Sequence, residues 1–246
     1  MSSVSGVQSG FGVSTGAIGP WIYGRWAEPP AQRRSRRTFY KFLDAAEALL
    51  GERPWHEVSV QDIVRSAEAS VGAFYNRFSD KAALLHCLDD RLAEECERTV
   101  DGLITEMKAA PVLVSEAPAI MVSLFMRLCA QHGGVISALD LSAKMAAPKG
   151  AKAQKAKQQK AGDAAETADS VFGLGARFDG ALTRFATFLS EEVLAYKGHT
   201  AAALLGAFQE TFWLTRERII YRRQDEGARQ GLHDLLMRHF AASLHR

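Results

Sequence analysis

The stretch "SVGAFYNRFSDK", Ser70–Lys81, combines small, aromatic and hydrogen-bonding residues in a way that a buried core helix does not need. Phe74 and Phe78 lie four residues apart, so they fall on one face of a helix and predict its anchor in a core. The positions between Val71 and Asn76 carry small side chains and hydrogen-bonding groups. This composition predicts a short helix with one anchored face and one face presented to a partner.

The residues before this stretch predict a second short helix. Ser59 and Asp62 are three residues apart, just ahead of an apolar run. This spacing is typical of a capping box, in which each side chain satisfies the other residue's backbone N–H. A helix over 60–67, a tight break at 68–69 and a helix over 70–77 together predict a helix-turn-helix.

The second helix of this pair fits the major groove of DNA, which is wide enough to accept one helix. Gly72 and Ala73 let the backbone approach a surface closely, while Ser70 and Asn76 can bond base edges or phosphates. Tyr75 can reach a phosphate oxygen with its hydroxyl. A short aromatic helix is often plain core, so the pattern alone leaves both interpretations open.

The segment "SVQDIVRSAEASVGAFYNRFSDKAAL", Ser59–Leu84, resembles the DNA-binding domain of TetR-family transcriptional regulators. The preceding "RRTFYKFLDAAEALLGERPW" is similar to that family's first helix and loop, so the resemblance covers Arg36–Leu88. It implies an all-α protein with an N-terminal three-helix helix-turn-helix domain and a C-terminal helical domain that binds an effector and dimerises. Glu68 stands where the family commonly has Gly, so we expect a strained or differently set turn. Ala82 replaces the family's usual Glu.

The resemblance also assigns DNA contacts by position. Ser59 caps the first helix of the pair and contacts phosphate, and Tyr75 and Lys81 grip the DNA backbone. Asn76 reads a base or a phosphate. The positions that face the groove are Ser70, Val71, Gly72 and Ala73. A basic arm just before the first helix reaches the phosphates or the minor groove, and it comprises Arg33, Arg34, Arg36 and Arg37.

Helical periodicity continues through the C-terminal part of the chain. A long helix is predicted from Asp80 to about Met107, with Ser79 as its start signal. Two more helices are predicted by "AIMVSLFMRLCA" and by residues 134–146. Three further helices are predicted over roughly 171–196, 200–223 and 226–244, and no strand pattern appears. The domain assignment is 33–88 for DNA binding and 89–246 for effector binding and dimerisation.

Two stretches fall outside this pattern. Residues 1–32 are rich in Ser and Gly and predict a mostly disordered extension, although Trp21, Tyr23 and Trp26 are unusual for a tail. Residues 147–169 belong to a lysine-rich stretch with six lysines from Lys144 to Lys160. A flexible solvated insert and a basic patch both fit this composition, and the solvated insert is the commoner case.

The helix over 200–223 has a wide apolar face. One line on it comprises Leu204, Phe208, Phe212 and Ile219, and a neighbouring line comprises Leu205, Trp213 and Ile220. One line can serve the core and the other a partner helix. With the last helix, this pattern predicts a homodimer interface that includes Trp213, Ile220, Leu236 and Phe240. The alternative is a helix that is merely central in its own domain.

The resemblance further implies a pocket for a small apolar effector. The candidate lining residues are Phe125, His132, Phe178 and Phe185. Aromatic residues at helical spacing are more often plain core, so this assignment depends on the resemblance.

Motifs and composition argue against other classes. The seven histidines show no HExxH spacing, and neither a Gly-rich phosphate loop nor a nucleophile elbow is present. We therefore expect no enzyme, no metal site and no cofactor. The formal net charge is +2, so any nucleic-acid signal must be local.

The compartment is predicted from the cysteines and the hydropathy. The three cysteines form no CxxC pair, which favours reduced thiols in a cytoplasmic protein. No apolar run reaches the ~18 residues of a membrane span. Together with these features, the TetR-family resemblance implies a repressor that binds an inverted repeat in double-stranded DNA as a homodimer and is released by a small-molecule effector. The alternative is a DNA-binding regulator controlled by a protein partner.

Overall fold

The computed structural model describes residues 33–110, 116–146, 175–193, 196, 198–222 and 231–244. These residues form eight α-helices and no β-strand, so the all-α prediction is confirmed. The helices are α1 (Arg33–Glu52), α2 (Val60–Ser66), α3 (Val71–Tyr75), α4 (Lys81–Ala109), α5 (Ala117–Ala146), α6 (Gly175–Glu192), α7 (Ala201–Arg216) and α8 (Leu232–Ser243). A 3-10 turn, Trp55–Glu57, follows α1, and α7 continues into a π-helical segment, Glu217–Tyr221. The extension at 1–32 and the insert at 147–169 lie outside the described residues.

Four phenylalanines hold the first three helices together. Phe39 and Phe42 come from α1, Phe74 comes from α3, and Phe78 follows α3, and all four are completely buried. Ring centroids lie 5.5 Å apart for Phe42 and Phe74 and 5.1 Å apart for Phe74 and Phe78. Because α3 has five residues, it is too short to be stable alone, and these ring contacts supply its anchor.

Helix α4 runs through the predicted domain boundary at residue 88, so both parts of the chain share it. Its N-cap is Asp80, whose carboxylate accepts a hydrogen bond from the Ala83 N–H at 2.8 Å. The prediction that Ser79 caps this helix is wrong, because the helix begins at Lys81 and the cap lies directly before it. Along its length α4 packs against α6, α5 and α1.

Helix α5 spans both of the helices that were predicted between residues 119 and 146. Between the two predicted helices the structure has a kink at His132, where φ is −112° and ψ is 16°. Gly133 and Gly134 follow directly, and glycine has a poor helix propensity because its backbone is freer in the unfolded chain. The helix packs against α1, α4, α7, α8 and the π-helical segment.

Part of α5 also has the length and composition of a membrane span. The stretch Ala117–Ser142 has a mean hydropathy of 1.4, so the expectation that no stretch is long and apolar enough to span a membrane was wrong. Scattered polar residues interrupt the apolar stretch, but they lower its mean hydropathy only a little. In this structure Val122, Phe125 and Leu128 of the stretch are buried, and the helix packs against the neighbouring helices.

The three cysteines are free and buried. Burial raises the pKa of Cys87 to about 12, and burial also raises the pKa of Cys96 and of Cys129. The reactive form of cysteine is the thiolate, which is therefore disfavoured at all three positions.

The ring cluster predicts a sharp contrast between two adjacent residues. Phe74→Ala removes a fully buried ring and should lower the free energy of unfolding by about 3–5 kcal/mol. Tyr75→Ala removes an exposed ring from the same helix and should cost below about 1 kcal/mol. Urea unfolding of the two variants measures the difference, and equal losses would show that Phe74 does not anchor α3.

Candidate DNA-binding surface

Helix α2 begins with the capping box that the sequence predicts. The Ser59 hydroxyl oxygen accepts a hydrogen bond from the Asp62 backbone N–H at 3.1 Å, and the Asp62 carboxylate accepts one from the Ser59 backbone N–H at 3.0 Å. Hydrogen bonds from the Ser59 hydroxyl and backbone N–H lower the pKa of Asp62. Because the pKa of Asp62 is lower in the folded chain than in the unfolded chain, its ionised carboxylate stabilises the fold at pH values above the unfolded pKa. This stabilisation is lost as the pH falls through the folded pKa.

Helix α3 follows as predicted, although it is shorter. Its N-cap is Ser70, whose hydroxyl oxygen accepts a hydrogen bond from the Ala73 N–H at 3.1 Å. Asn76 is the C-cap, so the helix ends at Tyr75 rather than at residue 77. Ser59 and Ser70 therefore cap consecutive helices, and each has its hydroxyl next to a helix N-terminus.

The outer face of α3 is exposed and chemically mixed. Its exposed residues are Ser70, Val71, Gly72, Tyr75 and Asn76. Val71 is 44% exposed and Tyr75 is 55% exposed, and their spacing of four residues puts both on one face of the helix. A Cβ added to Gly72 would meet only the Ser70 hydroxyl, at 4.0 Å, so the surface there is open. Ala73 is half-buried and is the least available of the predicted groove-facing residues.

The turn between α2 and α3 is strained at Glu68. This residue has φ of 52°, and it is the one non-glycine position with a positive φ in the described part of the chain. A side chain with a Cβ costs roughly 1–2 kcal/mol in this left-handed conformation. The Glu68 carboxylate lies 3.5 Å from the Lys41 ammonium, but both groups are exposed and such pairs stabilise little. The predicted strain is confirmed.

Lys81 has a structural role that sequence reasoning missed. Its ammonium donates hydrogen bonds of 2.7 Å to the backbone oxygens of Trp55 and Val58. It also lies 4.0 Å from the centre of the Trp55 ring. Burial lowers the pKa of Lys81. The side chain thus ties the loop after α1 to the start of α4, and its contact with a DNA phosphate remains a prediction.

The basic residues near the start of α1 do not form an arm ahead of it. Helix α1 already includes Arg33, so all four arginines lie in its first turns, and Arg36 and Arg37 are exposed. The arm prediction is wrong because the apolar period begins only at Phe39, more than a turn after the helix does. Any phosphate contact by Arg36 would come from a helix end.

Comparison with known proteins agrees with this geometry. Residues 42–88, which contain α2, the Glu68 turn and α3, match the model for "Bacterial regulatory proteins, tetR family". Residues 42–88 therefore resemble the DNA-binding domain of tetR-family regulators, and this part of the chain is called the TetR-type domain below. The "Uncharacterized HTH-type transcriptional regulator YwcC" of Bacillus subtilis (strain 168) is 37% identical over 82 residues. That match covers 33% of this chain and 36% of the length of YwcC, so it extends to about a third of either protein.

Outside the TetR-type domain, three of the four predicted effector residues lie in one cluster of core rings, and His132 lies apart from them. Phe125 and Phe178 pack on Phe212, with ring centroids 5.0 and 4.9 Å away, and Phe185 packs on Phe208 at 5.5 Å. All three candidate rings are buried. His132 instead lies at the junction of α5 with α1. The three phenylalanines therefore fill the core of the helical domain, and a ligand that reached them would have to displace rings.

The predicted dimer residues separate into two groups. Trp213 is 49% exposed and Ile220 is half-buried. Leu236 and Phe240 are buried within the chain, where the Phe240 ring lies 4.7 Å from that of Phe208. Their assignment to the interface is wrong, because α8 turns its apolar stripe toward α7 and α5. The two-line pattern on α7 is otherwise observed: its first line is buried, and its second line is half-buried or exposed.

Sequence reasoning also missed a charged cluster between the TetR-type domain and the C-terminal helices. Arg91 of α4 donates to Asp44 at 2.6 Å and to Glu47, both on α1. His132 Nδ1 lies 2.5 Å from a Glu47 carboxylate oxygen. Burial alone would raise the pKa of Glu47, but the hydrogen bond with His132 and the charge of Arg91 lower it. The acid pair on α1 was visible in the sequence, but its partners are too distant along the chain to be assigned from spacing.

The strained turn predicts a stabilising substitution. Glu68→Gly should raise the free energy of unfolding by about 0.5–1 kcal/mol, because glycine adopts a positive φ without the Cβ clash. Glu68→Gln keeps the Cβ and removes only the charge, so it should differ from the wild type by less than about 0.5 kcal/mol. Thermal and urea unfolding provide the measurement. A glycine variant no more stable than the glutamine variant would contradict the strain.

The Lys81 contacts predict a loss of stability that is independent of DNA. Lys81→Met keeps an apolar stem over Trp55 but leaves two backbone oxygens without this donor, which should cost about 1–3 kcal/mol. Lys41→Met, which removes an exposed ammonium from the same domain, is the matched control and should cost less than about 0.5 kcal/mol. Equal unfolding midpoints for the two variants would show that the Lys81 hydrogen bonds do not stabilise the fold.

Proposed function

We propose that this protein is a cytoplasmic transcriptional regulator that binds an inverted-repeat operator in double-stranded DNA as a homodimer. It acts as a repressor, which is the mode that the resemblance implies, and a small apolar effector releases it. The HTH-type name of YwcC and the tetR-family match of residues 42–88 support the DNA-binding part.

The single observation that carries the proposal is the outer face of α3. The Phe74 side chain points into the core, and Val71, Tyr75 and Asn76 are exposed on the other side of the same short helix and its C-cap. Val71 can contact a thymine methyl, and Asn76 can bond a base edge in the major groove. The Tyr75 hydroxyl can donate to a phosphate, which positions the helix without reading sequence.

A second copy is needed because a helix of this length reads only a few base pairs. Two-fold pairing presents two such helices in opposite directions, so the operator should be an inverted repeat with half-site centres ~34 Å or somewhat more apart. Trp213 and Tyr221, which are 49% and 47% exposed, support a pairing surface at the end of α7 and in the π-helical segment. With Val71 and Tyr75, they make up the large exposed hydrophobic residues of the described chain.

Control by a protein partner is the second candidate. It is favoured by the close contacts of Phe125, Phe178 and Phe185 with other core rings, since a small ligand would have to open this packing. Thermal-shift measurements against a panel of small apolar metabolites separate the candidates. A compound that raises the melting temperature and weakens DNA binding supports the effector, because a ligand stabilises the state that it binds.

Selection from a random DNA pool followed by footprinting tests the DNA-binding proposal. We expect a protected inverted repeat. A Val71→Ala/Asn76→Ala double variant should change the preferred bases, whereas Tyr75→Phe should weaken all sites evenly because it removes a phosphate contact. A protected region without two-fold symmetry would refute the two-fold model. An unchanged base preference in the double variant would remove α3 from the reading surface.

The homodimer is tested by a Trp213→Glu/Ile220→Glu double variant. Charges on the proposed pairing surface should give a monomer that keeps its helical content but binds the operator weakly. Ala203→Glu, which adds a charge at an exposed position about 80° around the same helix from Trp213, is the control and should remain dimeric. Sedimentation measures the outcome, and a double variant that still sediments as a dimer would show that the interface lies elsewhere.

A further inference from the structure

The kink in α5 contacts the TetR-type domain on one side and the π-helical segment on the other. It occupies three consecutive residues, His132, Gly133 and Gly134, and the backbone is non-helical at the first of them. Each of the three has a different neighbour. Together these contacts join parts of the chain that are far apart in the sequence.

Gly134 brings the backbone of α5 against the end of α1. A Cβ built on Gly134 would lie 2.1 Å from the backbone oxygen of Leu50 and 3.0 Å from the backbone nitrogen of Gly51. A carbon atom cannot approach an oxygen atom to which it is not bonded so closely. The backbone atoms of Leu50 also cannot rotate away as a flexible side chain can. Only glycine therefore permits this crossing of α1 and α5.

Gly133 brings the same turn of α5 against the π-helical segment. A Cβ built on it would lie 3.3 Å from Cγ1 of Ile220. Ile220 is half-buried, and it is next to Tyr221, which is exposed at the proposed pairing surface. The pairing surface and the end of α1 thus meet adjacent residues of α5.

His132 adds a directional contact to this packing. Its Nδ1 lies 2.5 Å from Glu47 Oε1 on α1, and Glu47 and Asp44 are both held by Arg91 of α4. Glu95 of α4 lines the same small crevice. Hydrogen bonds to a largely buried carboxylate are stronger and more directional than neutral ones, so they define the angle between the helices as well as their distance.

We propose that His132, Gly133 and Gly134 form an orientation joint, which holds the TetR-type domain at a set angle to the C-terminal helices. Since those helices carry the proposed pairing surface, the joint determines the separation of the two copies of α3. The joint is therefore a positioning device that selects the spacing between half-sites, and this role rests on the proposed function. The three residues themselves contact no DNA.

The test uses the full-length protein and a series of duplexes in which the spacing between the two half-sites is varied one base pair at a time. A duplex with one half-site measures the contact made by α3 alone. Gly134→Ala is the test variant. Gly102→Ala on α4 is the matched control, because a Cβ there would meet nothing within 4 Å.

We expect Gly134→Ala to bind the single half-site as the control does. Its affinity for the wild-type operator should fall by about 2- to 30-fold, the range found for residues that couple distant sites. Its preference for spacing should move or broaden by at least one base pair. If Gly134→Ala keeps the affinity and the spacing optimum of Gly102→Ala, the proposal is overturned.

The His132 contact provides an independent pair of variants if Gly134→Ala does not fold. His132→Ala removes the partner of Glu47, whereas His132→Asn keeps an N–H donor near the position of Nδ1. His132→Ala should broaden the spacing preference, and His132→Asn should restore it in part. Equal spacing profiles for wild type, alanine and asparagine variants would overturn the role of His132, because a purely structural loss would alter stability alone.

A measurement without DNA separates failure of the joint from failure of the proposed function. Spin labels attached through Gln61→Cys on α2 and Ala202→Cys on α7 report the distance between the two parts of the chain, and the native cysteines are buried. Gly134→Ala should shift or broaden this distance distribution relative to Gly102→Ala. An unchanged distribution overturns the joint. If the wild type binds no DNA and the distribution still broadens, the joint stands and the proposed function fails.

Discussion

Burial of Phe74 against Phe42 and Phe78 is the contact on which the candidate reading helix depends. Helix α3 has five residues, so its own hydrogen bonds and a single side-chain cap cannot stabilise it. The same burial determines which side chains face outward. With Phe74 turned into the core, Val71 and Tyr75 become exposed, and both the stability and the orientation of the surface follow from one set of ring contacts.

A second constraint acts in the C-terminal helices, where the Arg216 side chain is completely buried. It donates to Asp140 of α5, and the Tyr221 hydroxyl donates to the same carboxylate. Burial and this hydrogen bond raise the pKa of Tyr221 to about 12. Removing one partner of a buried charge pair costs about 3–5 kcal/mol, so the pair ties α7 firmly to α5. The Arg216 guanidinium also lies 5.2 Å from the Trp213 ring, which it supports from the core side.

Local patterns predicted the elements of this fold well. Apolar periodicity located the helices, and the Ser59 cap was identified because Ser59 and Asp62 are three residues apart. The outward face of α3 followed from the four-residue spacing of Phe74 and Phe78. Glu68 was identified as unusual through the family resemblance, because that family commonly has glycine at this position, and the structure gives it a positive φ.

Contacts between distant segments could not be predicted in the same way. Lys81 has the charge that a phosphate contact requires, and nothing near it in the sequence shows that its ammonium binds the oxygens of Trp55 and Val58. Leu236 and Phe240 form an apolar stripe whether that stripe faces a second copy or the same chain. Periodicity gives the buried side of a helix, but it does not give the identity of the helix that covers it.

The position of the kink in α5 connects these separate constraints. Gly133 is adjacent to Ile220, and Gly134 is adjacent to Leu50, so one turn of helix separates the proposed pairing surface from α1. Packed helices shift as rigid bodies more readily than they deform, since their interiors are close-packed. A change in how two copies pair would therefore move α5 against α1 directly. Because α1 carries Phe39 and Phe42, which hold α3, the reading helix would move with it.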